Sequence, residues 1–135
     1  KNIVNKHNMK YFLNLARKIQ WMAPYIFESD FVVTSNGRTV YEIVSLGVPL
    51  IVIGQNSREG NHTFAAIHPG IKYLGIASEV SDVEIQENLL EMINNFELRK
   101  RMNEQLQKEA NEIRKGIRRV INLIMKKYED LQEVY

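Results

Sequence analysis

Apolar and polar positions alternate along the chain in a pattern that predicts short buried strands joined by helices. Residues 31–34 and 50–53 are compact apolar runs rich in β-branched side chains, which is typical of strands buried on both faces. Between them, residues 39–46 carry apolar side chains at helical spacing and stop at Gly47, a common helix cap. A strand, helix and strand in so short a stretch indicate parallel strands with a right-handed crossover.

The same kind of pattern predicts the elements on either side of this unit. We expect a short helix at 21–28, a polar loop at 55–61, a helix at 62–67 and a third strand at 73–76. Trp21 and Tyr25 can stack on a base, but their helical spacing beside apolar neighbours favours the core. Residues 1–20 fit neither the helical nor the strand period, and no element is predicted there.

The C-terminal part of the chain is amphipathic at helical spacing. Ser81 and Glu84 have the spacing of a capping box, and apolar residues then recur at helical spacing almost to the end of the chain. This pattern predicts long C-terminal helices with an apolar stripe that suits either the domain's own sheet or a second copy of the chain. We expect intramolecular packing for the stripe, which consists of Leu98, Met102, Leu106, Ile113 and Ile117.

These elements predict an α/β fold: one Rossmann-like, three-layer α/β/α domain over residues 1–135, with a parallel sheet and long C-terminal helices. A chain of 135 residues suits one domain with its own core. Ligands of such sheets bind at the carboxyl ends of the strands. The loops at 35–39 and 54–59 follow two strands and should therefore meet.

Composition excludes several classes of protein. Apolar residues make up 44% of the chain and charged residues 25%, as in ordinary folded domains. The net charge of +2 is small for a nucleic-acid-binding protein, and no apolar run is long enough to span a bilayer. The absence of cysteine excludes disulfides and thiolate zinc sites and suits a reducing compartment. We therefore expect a cytoplasmic protein.

The segment best suited to chemistry runs from Ser35 to Glu42, where a predicted strand gives way to a helix. The first N–H groups of a helix lack intrahelical partners and carry the positive end of its dipole, which favours an anion. Gly37 lets the backbone approach a phosphate, and Ser35 and Thr39 add hydroxyl donors. Glu42, about one turn later, can accept hydrogen bonds from ribose hydroxyls. The same pattern equally fits a glycine turn and a capped helix.

The order of these residues resembles a known family. Residues 29–42, the Ser-Leu-Gly-Val-Pro run at 45–49 and the Gln55-Asn56 pair are similar to the C-terminal domain of GT-B-type glycosyltransferases and their relatives. The UDP-sugar hydrolase of pseudaminic acid synthesis and related spore-coat polysaccharide proteins are the nearest, and the peptidoglycan N-acetylglucosaminyltransferase is more distant. The C-terminal helices resemble tails of some bacterial nonulosonic-acid cytidylyltransferases.

The resemblance implies roles for individual residues. Backbone amides near the start of the helix would hold a pyrophosphate, Glu42 the ribose, and Gln55 with Asn56 would face the sugar or pyrophosphate. Arg38 replaces the small or apolar residue common in the family, and it either contacts a phosphate or extends into solvent. The binding residues so implied, with the serine added from its position, are Ser35, Asn36, Gly37, Arg38, Thr39, Glu42, Gln55 and Asn56.

The resemblance also implies a wider context. The chain would be the C-terminal fragment of a longer enzyme that binds a nucleotide-diphosphate sugar, with UDP as the expected nucleotide. In the hydrolases the catalytic histidine and a glycine-rich loop lie in an N-terminal domain, and nothing in residues 1–20 matches them. The isolated chain should therefore be inactive, and no cofactor is expected. The alternative is a noncatalytic regulatory or dimerisation module attached to a cytidylyltransferase.

The histidines give weaker signals. His62 follows the Gln55 loop and is either a base or phosphate contact at the ligand site or an ordinary surface histidine. His7 and His68 lack the i,i+4 spacing of metal-binding histidines on a helix. No metal site is predicted.

Overall fold

The computed structural model describes residues 2–6, 9–13 and 16–132, and it is an α/β fold built on a small parallel sheet. Two strands near the start, β1 (Asn2–Lys6) and β2 (Met9–Leu13), form an antiparallel hairpin. The strands β3 (Val32–Thr34), β4 (Leu50–Gly54) and β5 (Ile71–Ile76) form a three-stranded parallel sheet in the order β3-β4-β5. The helices are α1 (Ala23–Phe27), α2 (Thr39–Leu46), α3 (Ser57–Gly60), α4 (Phe64–Ile67), α5 (Asp82–Asn94) and α6 (Phe96–Gln132).

The parallel sheet confirms the predicted strand–helix–strand unit, and the differences concern bounds and short elements. The hairpin lies where no element was predicted. The loop at 55–61 contains the short helix α3, and the helix expected at 62–67 forms only from Phe64. The third strand starts at Ile71, two residues earlier than expected.

Helices cover both faces of the sheet, as the predicted three layers require. Side chains of successive strand residues point to opposite faces. Leu50 of β4 packs with the buried side of α2 and with Leu106 of α6. Ile51, on the other face of β4, packs with Met92 of α5 and Met102 of α6. The arrangement is consistent with a Rossmann-like α/β fold.

The apolar stripe of α6 divides into a buried and an exposed part. Leu106 and Ala110 are fully buried and Ile113 packs against the core, which confirms intramolecular packing for this part of the stripe. Ile117 is 58% exposed, so the prediction is wrong at its C-terminal end. From residue 117 to residue 130 every side chain is exposed. Within the described residues, no helix is both long and apolar enough to cross a bilayer.

Three further expectations about burial are wrong. Trp21 is 76% exposed and Tyr25 is 53% exposed, because α1 is short and buries only Ile26. Strand β3 is not buried on both faces: Val33 is 47% exposed, and β3 lies at one edge of the parallel sheet.

The ends of two helices follow their predicted caps. Gly47 has φ of +74° and donates its N–H to carbonyl groups of α2, which is the left-handed cap that glycine allows without strain. The Ser81 hydroxyl accepts the N–H of Glu84 at 3.2 Å and caps α5.

His68 joins α4 to β5 in a partly buried position. Its Nδ1 accepts the N–H of Gly70 at 3.0 Å, so the neutral ring carries its proton on Nε2, which lies 4.0 Å from a Glu109 carboxylate oxygen. Burial lowers the pKa of His68 below its ordinary value of 6.5, and the charge of Glu109 opposes this only in part.

Two glycines provide a matched test of the packing. A Cβ on Gly70 would lie 2.7 Å from Leu106 Cγ, whereas a Cβ on Gly116 of α6 would meet nothing within 4 Å. We expect Gly70→Ala to lower the free energy of unfolding by about 1–3 kcal/mol through overpacking. Gly116→Ala should raise it by up to about 1 kcal/mol through helix propensity. Urea unfolding measures both, and equal effects of the two variants would contradict this packing of α6.

The lowered pKa of His68 predicts a pH dependence of stability. As pH falls below 6.5 the unfolded chain takes up a proton at this position before the folded chain does, so the free energy of unfolding decreases until the lowered pKa is passed. His68→Asn keeps an acceptor for the Gly70 N–H but cannot titrate. Urea unfolding between about pH 8 and pH 5 should therefore show a shallower loss of stability in the variant, and parallel pH profiles would show that His68 does not contribute.

Candidate functional site

Two loops meet at the carboxyl ends of β3 and β4, as the sequence predicts. The first loop follows Thr34 and opens α2, and the second follows Gly54 and contains α3. Because neighbouring parallel strands end at the same edge of a sheet, both loops lie on one side of the molecule.

Asn36 holds the two loops together. This side chain is 2% exposed, and its amide nitrogen donates to the carbonyl oxygens of Glu59 at 2.8 Å and His62 at 2.9 Å. The backbone carbonyl oxygen of Asn36 in turn accepts the Nδ1–H of His62 at 2.8 Å. A buried amide without such partners would cost about 1–3 kcal/mol, so the pairing fixes the path of both loops.

Glu59 adds a charged connection between the same loops. Its Oε2 accepts the backbone N–H of Asn36 at 3.1 Å and that of Gln55 at 2.9 Å. Its own backbone N–H donates to Oδ1 of Asn56, which caps α3, at 3.1 Å. One carboxylate therefore binds an amide from the end of each strand, and hydrogen bonds to a charged acceptor are stronger than neutral ones.

A cavity of about 540 Å³ lies beside this network. This volume is within the range of small-molecule sites. Among the described residues that line it there is a fixed positive charge and no carboxylate. The lining residues are Gly37, Arg38, Tyr41, Asn61, His62, Thr63, Phe64 and Ile67.

The start of α2 supplies hydrogen-bond donors to the cavity wall. The turn that opens the helix is closed by hydrogen bonds from Val40 to Gly37 and from Tyr41 to Arg38. The N–H groups of Gly37 and Arg38 donate to no acceptor within the described part of the chain. With the helix dipole and the Arg38 guanidinium, this wall favours an anion. Gly37 does not have the positive φ that glycine adopts more easily than other residues.

His62 presents a defined ring nitrogen to the cavity. Because a carbonyl oxygen can only accept, the hydrogen bond to Asn36 requires a proton on Nδ1. In the neutral ring Nε2 is then an acceptor, and in the charged ring it is a second donor. His62 is exposed and lines the cavity, so it can contact a ligand in either form.

An aromatic pair forms the apolar side of the cavity wall. The rings of Tyr41 and Phe64 are stacked, with centroids 4.9 Å apart and planes at 29°. Tyr41 remains 49% exposed. The cavity thus combines a donor-rich side with a flat apolar side, which suits a ligand that carries a phosphate and a ring.

The remaining residues that the sequence predicted for the site are not among the described residues that line the cavity. Ser35 is half-buried and Thr39 is the first residue of α2. Glu42 is exposed on α2, and it is not among the described residues that line the cavity. The Gln55 side chain is exposed, and the Asn56 carbonyl oxygen already caps α3. The role of Glu42 on a ribose stays a prediction.

Sequence reasoning missed several residues of this region. Glu59 follows Asn56 by three residues, the spacing of a helix cap, and that signal alone would have revealed α3. Tyr41 and Phe64 gave no signal, because each looks like an ordinary core residue in its helix. No group of three or more metal-binding side chains occurs within the described residues, and His7 lies outside them.

Glu59 gives a direct test of the junction. Glu59→Ala leaves the Asn36 and Gln55 amides without their acceptor, and it should lower the free energy of unfolding by about 1.5–3 kcal/mol. Glu59→Gln should cost less, because its carbonyl oxygen can accept the same N–H groups. Glu87→Ala, at an exposed position on α5, is the control and should change stability by less than about 0.5 kcal/mol. Equal effects at residues 59 and 87 in urea unfolding would contradict the connection.

A scan of protein-family models and searches of curated proteins and of solved structures found no match to the chain. The chemistry of the site therefore has to be argued from its own geometry.

Proposed function

We propose that this chain is the nucleotide-sugar-binding half of a GT-B-type glycosyltransferase or UDP-sugar hydrolase acting in surface-polysaccharide or nonulosonic-acid synthesis. The observation that carries the proposal is the Asn36–Glu59–His62 network, which holds the start of α2 against the cavity. The resemblance of residues 29–42 to the GT-B C-terminal domain supports the same assignment.

The donor-rich side of the cavity suits the diphosphate. The amides of Gly37 and Arg38, together with the Arg38 guanidinium, offer hydrogen bonds and positive charge to a group with two negative phosphates. The Thr63 hydroxyl also lines the cavity and can donate to a phosphate or sugar oxygen. His62 Nε2 can accept a sugar hydroxyl in the neutral ring and can donate to a phosphate only in the charged ring. No metal ion is required for this binding.

The other parts of the ligand have candidate partners close by in the chain. Tyr41 offers an exposed ring face on which a base or sugar can stack. Glu42 follows it directly and is exposed, so a ligand that extends past the cavity rim can place its ribose hydroxyls on this carboxylate. The nucleotide would then run from Arg38 towards the exposed side of α2.

In such an enzyme this half contributes electrostatic stabilisation rather than a nucleophile. Transfer and hydrolysis both release a nucleoside diphosphate, and charge develops on its terminal phosphate as the sugar bond breaks. Helix-terminal amides and Arg38 stabilise that charge without reorganisation. The partner domain would supply the general base and the acceptor site.

Calorimetric titration of the folded chain with UDP, CDP and UDP-N-acetylglucosamine tests the proposal. We expect one base to be preferred, and Glu42→Ala to weaken that ligand by about 1–3 kcal/mol through loss of a charged hydrogen bond. Inorganic pyrophosphate should bind more weakly, respond to Arg38→Ala and be insensitive to Glu42→Ala.

Glu87→Ala serves as the control for a lost carboxylate. Addition of a chelator should leave all affinities unchanged. The absence of binding for every ligand at about 1 mM, with the chain folded, would overturn the assignment of this half as a binding unit.

A further inference from the structure

The exposed end of α6 has one face that is strongly apolar. Ile117, Val120, Ile121 and Ile124 recur at i, i+3, i+4 and i+7 and therefore lie on one side of the helix. Their exposed fractions lie between 53% and 62%. Leu123 and Met125 in the same segment are exposed as well. We call the segment 117–130 the α6 extension.

This apolar surface is too large to be ordinary. Its six large apolar side chains are each more than half exposed, which gives an apolar surface on the order of several hundred Å² on one helix. Isolated exposed patches of more than a few hundred Å² mark interaction sites. A stable interface takes about 800 Å² from each partner, so the extension supplies a large part of one.

The charges beside the apolar face are arranged for self-recognition. Residues 114–119 contain four basic side chains and no acidic one. Residues 126–130 contain two lysines and two acidic residues, but of these four charges only Glu129 falls on the flank of the helix that Arg118 occupies. Arg118 and Glu129 are 11 residues apart, about three helical turns, so they lie on the same flank of the apolar face. The midpoint between them falls near Leu123 and Ile124, within the apolar face.

We propose that the α6 extension pairs with the α6 extension of a second copy of this chain in antiparallel orientation. A twofold axis perpendicular to the two helices brings the same flank of each together and reverses their direction. Arg118 of each copy then faces Glu129 of the other, and the apolar faces meet around Ile124. Parallel pairing would instead align basic with basic segments. The inference is independent of the proposed nucleotide site.

Arg119 is not assigned to the interface between copies, because its guanidinium lies 3.7 Å from a Glu112 carboxylate oxygen of the same chain. The Glu112 carboxylate also binds Lys115 at 2.6 Å. These pairs orient the basic segment along the outside of α6. Arg118 and Glu129 remain the two charges by which orientation can be tested.

Light scattering and sedimentation of the 135-residue chain measure the first consequence. At about 50 µM we expect a mass close to twice 15.8 kDa. The double variant Ile121→Lys, Ile124→Lys should be monomeric with an unchanged core, whereas Lys126→Glu, a charge change of the same size on the opposite side of the helix, should stay dimeric. A monomeric wild-type chain, as expected if another domain or protein covers this face, overturns the proposal.

Charge reversal tests the orientation. Arg118→Glu or Glu129→Arg alone should weaken the dimer about threefold to tenfold, because each places like charges together twice in the dimer. The combined exchange should restore the wild-type dissociation constant in antiparallel pairing only. Additive weakening by the two changes would overturn the antiparallel arrangement.

Discussion

The buried amide of Asn36 is the constraint on which the candidate site depends. A side-chain amide that is buried in this way needs acceptors for its N–H groups. Its partners come from Glu59 and His62, on a separate loop, so the turn before α2 cannot move independently of α3. The position of the cavity wall therefore follows from a few hydrogen bonds rather than from the size of the core.

The same network shows which nearby polar groups are already used in hydrogen bonds within the chain and which are left for a ligand. Glu59 and Asn56 are occupied by backbone amides, and the Nδ1 of His62 is occupied by a carbonyl. What is left towards the cavity is one ring nitrogen, a guanidinium and the first amides of α2. The guanidinium and the amides are donors, so this surface favours an anion.

Compact apolar runs rich in β-branched residues predicted β3 and β4, helical periodicity predicted α2, and glycine and proline marked the ends of these elements. Periodicity failed at Trp21, which precedes α1, and at Tyr25, since a five-residue helix cannot show which residues face the core. It also placed Ile117 with the buried stripe, because the helical period continues unchanged after the core ends near Ile113. The convergence of the loops at 35–39 and 54–59 was predictable from topology, but the carboxylate that joins them was not.

The continuity of α6 has a consequence for local stability. At 1.5 Å per residue its 37 residues extend about 55 Å, far beyond the sheet that holds its first half. In a single chain the exposed segment 117–130 gains little from tertiary packing. An isolated helix as short as this segment is only marginally stable in water. Its amides should therefore exchange with solvent through fraying events that leave the sheet intact, so that one uninterrupted helix belongs to two cooperative units with separate free energies of opening.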